Sequence, residues 1–395
     1  MMVVNFMQSL KELYKIGNGP SSSHTMGPKR AALYYLDKYP NCTRYEVILY
    51  GSLALTGKGH LTDKIIYDTF IGKNIKVIFD YKTVPDYHPN MMDFKGYIGD
   101  NLINTTTIYS IGGGTIQIKD DELVENDEIY PEKNFKEVKE FCLKNNLRLA
   151  EYVYYYEPKA KEYLEEVYSV MLESIARGLT KEGTLPGKLM VKRKAKTLFD
   201  SHDPLMLVSA YAYAVSEENA SGGVIVTAPT CGASGIVPAC LKYLLDKGYQ
   251  KEKLIDGLAC ASVIGNIIKQ NASISGAECG CQAEVGSATS MAAALIGEVM
   301  DFSIEQIEHA AEIAMEHQLG LTCDPVDGYV QIPCIERNAI ASMRAIHSAM
   351  LAKNLTETQK VSFDVVVETM RETGKDLNKN YRETSEGGLA KKYHC

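Results

Sequence analysis

The feature that most restricts how this chain can fold is a set of three cysteines, Cys281, Cys323 and Cys334, set among glycines and prolines between Gly276 and Asn338. They stand 42 and 11 residues apart, too far for one local turn. Gly280, Pro325, Gly328 and Pro333 beside them favour non-helical backbone, on which a thiol can face a cavity instead of joining an apolar helical face. Structural zinc takes four ligands, commonly as C-x-x-C pairs, and ferredoxin-type clusters take four cysteines in tight runs. Neither pattern occurs here. The spacing leaves two readings open. Three thiolates could hold a cubane iron–sulfur cluster whose remaining iron is an open Lewis acid; alternatively, the cysteines are small core hydrophobes, the commoner role of buried cysteine.

Upstream, residues 10–14 read as the end of a short helix. The loop GNGPSSSHTMGP (Gly17 to Pro28) follows, and it lacks the G-K-[ST] ending of a phosphate loop. It places Ser21, Ser22, Ser23, His24 and Thr25 at the head of a helix expected over 29–38, where N–H groups and hydroxyls suit a carboxylate. Plain N-terminal capping explains the same residues. A strand over 45–53 leads into GKGHLTD and a helix over 63–70. His60 lies in that loop, poorly placed for the core, with a structural or a catalytic role open. Further strands are expected in NIKVIFDY and TTTIYSIGGGTIQI, on either side of the turn DYHPN. Gly112, Gly113 and Gly114 at a strand end allow close approach of a ligand or another chain.

Residues 119–185 are charged, tyrosine-rich and helical in pattern. From Lys188 the chain becomes alanine-rich and helical, broken at TAPTCGASG, where Thr230, Cys231 and Gly232 are placed to use the freed backbone groups. Ser303 and Gln306 form a capping box for a helix through His317, and helices follow over 335–353 and 363–373. Cys42, Cys142, Cys240 and Cys260 lie within regular patterns and read as core. The fold class is therefore α+β: an α/β domain over 1–130, a helical connection over 131–187 and an all-helical domain over 188–395.

A formal net charge of -8 and a pI near 5.6, with scattered lysines and arginines, argue against a nucleic-acid surface. No window approaches the length of unbroken apolar sequence that a membrane span needs. The N-terminus lacks the basic region of a secretory signal, so a cytoplasmic location is expected. Ten cysteines in such a chain point to reduced thiols rather than a disulfide framework.

The words KIGNGPSSSHTMGP, GSLALTGKGHLTD, HPNMMDF, YSIGGG, TAPTCGASG, GAECGCQAEVG and LTCDPVDGYVQIPCIERN occur in that order. From about Leu10 to the C-terminus the chain thereby resembles the iron–sulfur-dependent L-serine dehydratases in their single-chain form, a β-type segment followed by an α-type segment. The resemblance implies deamination of L-serine to pyruvate and ammonia by β-elimination of water, a step of amino-acid metabolism and gluconeogenesis. It implies a [4Fe-4S] cluster on Cys281, Cys323 and Cys334, with no pyridoxal phosphate. His60 becomes the proton acceptor, with a pKa expected close to working pH, and His24 its substitute. Ser21 to Thr25, Lys58, Gly112 to Gly114 and Thr230 become the substrate shell. Cys395 becomes a temporary fourth ligand. The partners implied are a small amino acid and a second copy of the chain, with neither nucleic acid nor membrane. The stretch between HLTD and YSIGGG is shorter than the family's, which bears on any regulatory serine site there.

Three alternatives stand beside this reading. The same chemistry could act on L-threonine or L-cysteine. A pyridoxal-phosphate lyase would need a lysine like that of Ser9 to Lys11, the one Ser-x-Lys, yet no strand or glycine loop surrounds it. A non-enzymatic iron–sulfur sensor would not require serine, histidine and glycine motifs far from the cysteines.

Overall fold

The computed structural model describes residues 6–119, 128–384 and 386–393. The chain divides into two compact units, Asn18–Asn126 and Met1–Gly17 with Asp127–Cys395. In the smaller unit helices α1 (Gly27–Lys38), α2 (Gly51–Thr56) and α3 (Thr62–Thr69) accompany a five-stranded mixed sheet. Its strands are β1 (Arg44–Tyr50), β2 (Ile75–Asp80), β3 (Met91–Ile98), β4 (Asn101–Gly112) and β5 (Thr115–Ile118), in the spatial order β2-β1-β3-β4-β5. β1 and β2 are parallel, which is why helices rather than a tight turn connect them. The other pairs are antiparallel.

Period-two alternation decides which sheet face is covered. Tyr45, Val47 and Leu49 of β1 and Met92 and Phe94 of β3 are buried against Ala31, Ala32 and Tyr35 of α1 and Ile65 and Ile66 of α3. The strand expected over 45–53 stops at Tyr50, because Gly51 takes a φ of +52° and starts α2. β3, at the centre of the sheet, lies in a stretch whose proline- and asparagine-rich approach reads as a turn. Its alternation, buried at Met92, Phe94 and Gly96, is nevertheless regular.

The larger unit is built of helices α4 (Phe135–Asn145), α5 (Leu149–Tyr156), α6 (Ala160–Thr180), α7 (Ala195–Asp200), α8 (Pro204–Ala220), α9 (Ile236–Asp246), α10 (Lys251–Asn271), α11 (Gly276–Cys279), α12 (Ser287–Val299), α13 (Ile304–Glu316), α14 (Cys334–Leu355), α15 (Phe363–Asp376) and α16 (Gly388–Lys392). Every residue of α12 is buried, the mark of a helix enclosed on all sides. Small residues let its neighbour α10 approach closely: a Cβ on Gly257 would stand 2.7 Å from Val299 Cγ2. α4, α5 and α6 contribute Val138, Tyr152 and Val167 to the same core. The N-terminal segment is tied in as well, Leu10 N and Ser9 Oγ both donating to the Glu157 carboxylate at 3.0 and 2.7 Å. The Ser303/Gln306 capping box starts α13 as expected. Among the described residues no helix is long and apolar enough to cross a membrane.

Candidate functional site

In the larger unit Cys281 Sγ, Cys323 Sγ and a Glu284 carboxylate oxygen lie within 4.8 Å of one another. Gly280 turns the chain out of α11 with a φ of +73°, and a Cβ there would come within 2.7 Å of the Leu321 carbonyl oxygen. The next residue but one joins the two distant cysteines. Gln282 N donates to Leu321 O (3.2 Å), Gly320 N donates to Gln282 Oε1 (2.9 Å), and Gln282 Nε2 donates to Met370 O of α15 (3.0 Å). From the other side the C-terminal segment returns to Cys323, whose N–H donates to Tyr381 O and whose carbonyl accepts from Glu383 N, both at 2.8 Å.

Cys334 is the first residue of α14. Asn338 Nδ2 donates to its carbonyl and to Gly232 O at 2.8 Å each, while Gly235 N donates to Asn338 Oδ1 at 3.0 Å. The break TAPTCGASG is therefore held to the turn that carries Cys334. Gly232 and Gly276 leave room for the carboxylate of Glu284: Cβ atoms there would stand 3.2 and 3.0 Å from its oxygens. Arg337 Nη1 donates to Thr322 O (2.6 Å) and its Nη2 reaches Asp324 Oδ1 at 3.4 Å. Asp324 Oδ2 accepts from Leu389 N at 2.6 Å, so the described part of the tail runs beside Cys323.

These groups resist ionising together. A hydrogen bond with Cys281, then burial, lifts the Cys323 thiol well above its ordinary range. Burial and then Cys281 do the same for Cys334. Burial raises the Glu284 carboxyl, opposed by the Thr230 hydroxyl and Arg337. Burial and then Glu284 push Glu383 up to about 8. A bound cation reverses this tendency by stabilising thiolates. Three free thiols, buried or nearly so, fit an iron–sulfur group, for which thiolate is the usual ligand.

The smaller unit holds a second cluster. Ser21 Oγ accepts from His24 N (3.1 Å), and a wide turn, Ser22–Met26, runs into α1. The His24 ring is gripped at both nitrogens, Nδ1 by Ser23 Oγ at 2.8 Å and Nε2 by Ser52 Oγ at 2.9 Å. The His60 ring lies 4.6 Å from it, centroid to centroid. His60 is 2% exposed, and neither ring nitrogen has a hydrogen-bond partner among the described residues. Thr25 Oγ1 donates to His60 O (2.7 Å) and Thr62 Oγ1 to His24 O (2.5 Å), stitching the two loops together. Ser110 Oγ donates to Ser23 O at 2.7 Å.

Burial pushes the His60 pKa down to about 4, and His24, by burial and then its neighbour His60, well below its ordinary range. This corrects the expectation that His60 titrates close to working pH, an expectation that assumed a solvated loop. His60 is neutral near pH 7, able to accept a proton, and its cation is costly until something stabilises it.

The structure thus gathers Ser21 to Thr25 around His24 and His60. Lys58 is exposed, its Nζ 5.4 Å from the centroid of the Phe79 ring. Gly112 to Gly114 form the β4–β5 turn, with φ of +56° and +77° at Gly113 and Gly114, and Gly114 O accepts from Arg30 Nη1 at 3.1 Å. Cys395 lies outside the described residues. Glu284, Glu383, Gln282, Arg337 and Asn338 were not among the residues singled out from the sequence. Glu284, three positions after Cys281, was accessible to a helical-spacing argument; Glu383 carried no local signal.

Comparison with known proteins gives the family. Residues 104–390 match the family described as serine dehydratase alpha chain, and residues 9–77 the family described as serine dehydratase beta chain. L-serine dehydratase 1 of Escherichia coli is 41% identical over 454 aligned positions, covering 98% of this chain and 100% of that protein. L-serine dehydratase of Streptomyces coelicolor is 40% identical over 447, covering 97% and 98%. L-serine dehydratase of Helicobacter pylori strain J99 is 39% identical over 452, covering 98% and 99%. Each alignment is longer than the 395-residue chain, which therefore lacks residues that these relatives carry.

Proposed function

The chain belongs to the serine dehydratase family of carbon–nitrogen lyases, and on that premise we propose that it converts L-serine to pyruvate and ammonia by β-elimination of water. The observation that carries this reading is likeness over nearly the whole length to proteins named for that reaction. In this division of labour residues 1–130 supply the base and most of the substrate shell, and residues 188–395 the thiol ligands and Thr230, linked through 131–187. Cys281, Cys323 and Cys334 would hold a [4Fe-4S] cluster, a reading supported by the close approach of Cys281, Cys323 and Glu284. When bound, that cluster supplies Lewis acidity toward the serine hydroxyl, a poor leaving group.

The chain's own residues do the remaining work. Neutral His60, with both nitrogens unpartnered, accepts the Cα proton as the Cβ–O bond breaks. His24, fixed between two serine hydroxyls, orients the substrate carboxylate together with Ser21, Ser22, Ser23 and Thr25. Lys58, Gly112 to Gly114 and Thr230 complete the substrate shell. The hydroxide leaves with the Cβ–O electron pair and takes the proton back from His60 to become water, and the aminoacrylate released tautomerises and is hydrolysed by a second water to pyruvate and ammonia. Cys395 would serve as a further, temporary thiol ligand to the cluster when serine is absent, and the bond from Leu389 N to Asp324, next to Cys323, supports that reading. The enzyme acts on free amino acid in the cytoplasm as a homodimer.

The test is anaerobic purification, iron and sulfide counting, and a pyruvate assay on L-serine. Iron, sulfide and pyruvate are expected together. Absence of pyruvate from iron-replete protein overturns the reaction, and faster turnover of L-threonine or L-cysteine moves the assignment to that substrate.

A further inference from the structure

A cavity of about 290 Å³ in the larger unit is lined by residues between Val191 and Glu217 and by the segment on either side of Cys334. Its size sits at the lower edge of the range for ligand pockets, about 300 Å³ upward, and suits a small metabolite. Two buried residues in its wall carry oxygens with no hydrogen-bond partner among the described residues, Glu217 Oε2 and Gln331 Oε1. Glu217 spends its other oxygen on the N–H groups of Lys194 and Ala195 at the start of α7. Arg193 Nη1 forms an ion pair with Oε2 at 4.0 Å, too long for a hydrogen bond, so Oε2 still lacks a donor. Gln331 Nε2 donates to Pro186 O at 2.7 Å, which fixes the amide and leaves Oε1 as a bare acceptor. Buried acceptors left this way are costly, and both residues want donors.

The rest of the wall says what kind of donor. Lys192 and Lys194 contribute two positive charges, and Glu217 and Glu336 two negative ones. The ring is neutral overall, so it offers little to a ligand of net charge and two complementary ends to a zwitterion. Between them Val191, Leu198 and Ile335 provide an apolar surface. Burial pushes the Glu217 carboxyl up to about 6, against the Lys194 and Ala195 amides and the Arg193 charge, so its charged form at neutral pH gains from a further cation.

We propose that this cavity is a second binding site, for an α-amino acid with an apolar side chain. Its ammonium meets the oxygens of Glu217 and Gln331, its carboxylate meets Lys192 and Lys194, and its side chain lies on Leu198 and Ile335. Gln331, Ile332 and Ile335 flank Cys334, so the ligand sits against the backbone that presents that thiol.

Isothermal titration calorimetry of the anaerobically purified full chain with L-leucine tests this independently of serine turnover. Saturable binding with a Kd of about 1 mM or tighter is expected. Isopentylamine and isovalerate, each lacking one charged end, should bind at least about tenfold more weakly. Leu198→Trp, which fills the cavity, should abolish leucine binding and leave serine turnover unchanged. Glu217→Gln should weaken leucine binding about tenfold; where that buried variant does not fold, Leu198→Trp carries the test alone. No leucine binding, binding that survives Leu198→Trp, or equal binding of isopentylamine or isovalerate overturns the proposal, and none of these bears on the serine reaction.

Discussion

The two polar clusters of this enzyme are buried alike and respond to burial in opposite senses. In the larger unit the Cys281 hydrogen bond and burial raise Cys323, and burial followed by acidic neighbours raises Cys334 and Glu383, so the cluster favours its protonated form until positive charge enters it. In the smaller unit burial depresses the protonation of both imidazoles, and His60 adds to the effect on His24, so positive charge is kept out until a proton has to be taken. The difference teaches that burial does not have one chemical meaning. The same desolvation prepares one region to bind a cation and the other to accept a proton.

Removing a thiol is the severest way to break the contrast. Cys323→Ala should release iron and lower serine turnover by more than about 10²-fold, a loss greater than that usual for residues supporting a metal ligand. Iron retained at the wild-type ratio in that variant would remove Cys323 from the ligand set. His60→Asn should do the reverse: iron content stays, while turnover falls by about 10² to 10⁴-fold, the usual worth of a general base. The check is exchange of the serine Cα proton with deuterated solvent, and exchange at the wild-type rate would show that another group is the base.

Acid sharpens the same contrast through stability. His60 has a native pKa of about 4, below its ordinary value of about 6.5, so the unfolded chain binds the extra proton between these values. The stability associated with its neutral form is complete above about pH 6.5 and is lost as pH falls toward 4, by about 3 kcal/mol. Hydrogen exchange of residues 18–119 followed across that window should show the loss, and His60→Asn should flatten it. An equal pH profile for the variant would mean that His60 is not the titrating group. The smallest effect is expected at the tail. Deleting Cys395 should leave anaerobic turnover largely intact and shorten the half-life of activity in air, and matching half-lives would exclude contact between the tail and the iron.

Much of this was legible in the residues themselves. The capping box of Ser303 and Gln306, the helix after HLTD and the core placement of Cys42, Cys142, Cys240 and Cys260 depend on neighbours a few positions away or on plain hydrophobicity. The ordered motifs named the family, because a site's chemistry is written in short words. β3 was missed because its alternation follows directly on a proline- and asparagine-rich approach, and a turn reading absorbed both.

What only the tertiary structure decided depends on groups distant in sequence. Glu284 joins Cys281 and Cys323 because Gln282 bridges the loops at Leu321 and Met370, and Glu383 arrives on a segment that pairs with Cys323 from far downstream. The pKa of His60 was equally out of reach. A histidine between a glycine and a helix start looks solvated, yet its ring is packed beside His24 and closed off by the turn that Thr25 and Thr62 pin in place. Sequence reports which groups exist and the local backbone they prefer; dielectric surroundings and charge neighbours exist only once the chain has closed on itself, and these set what each group can do.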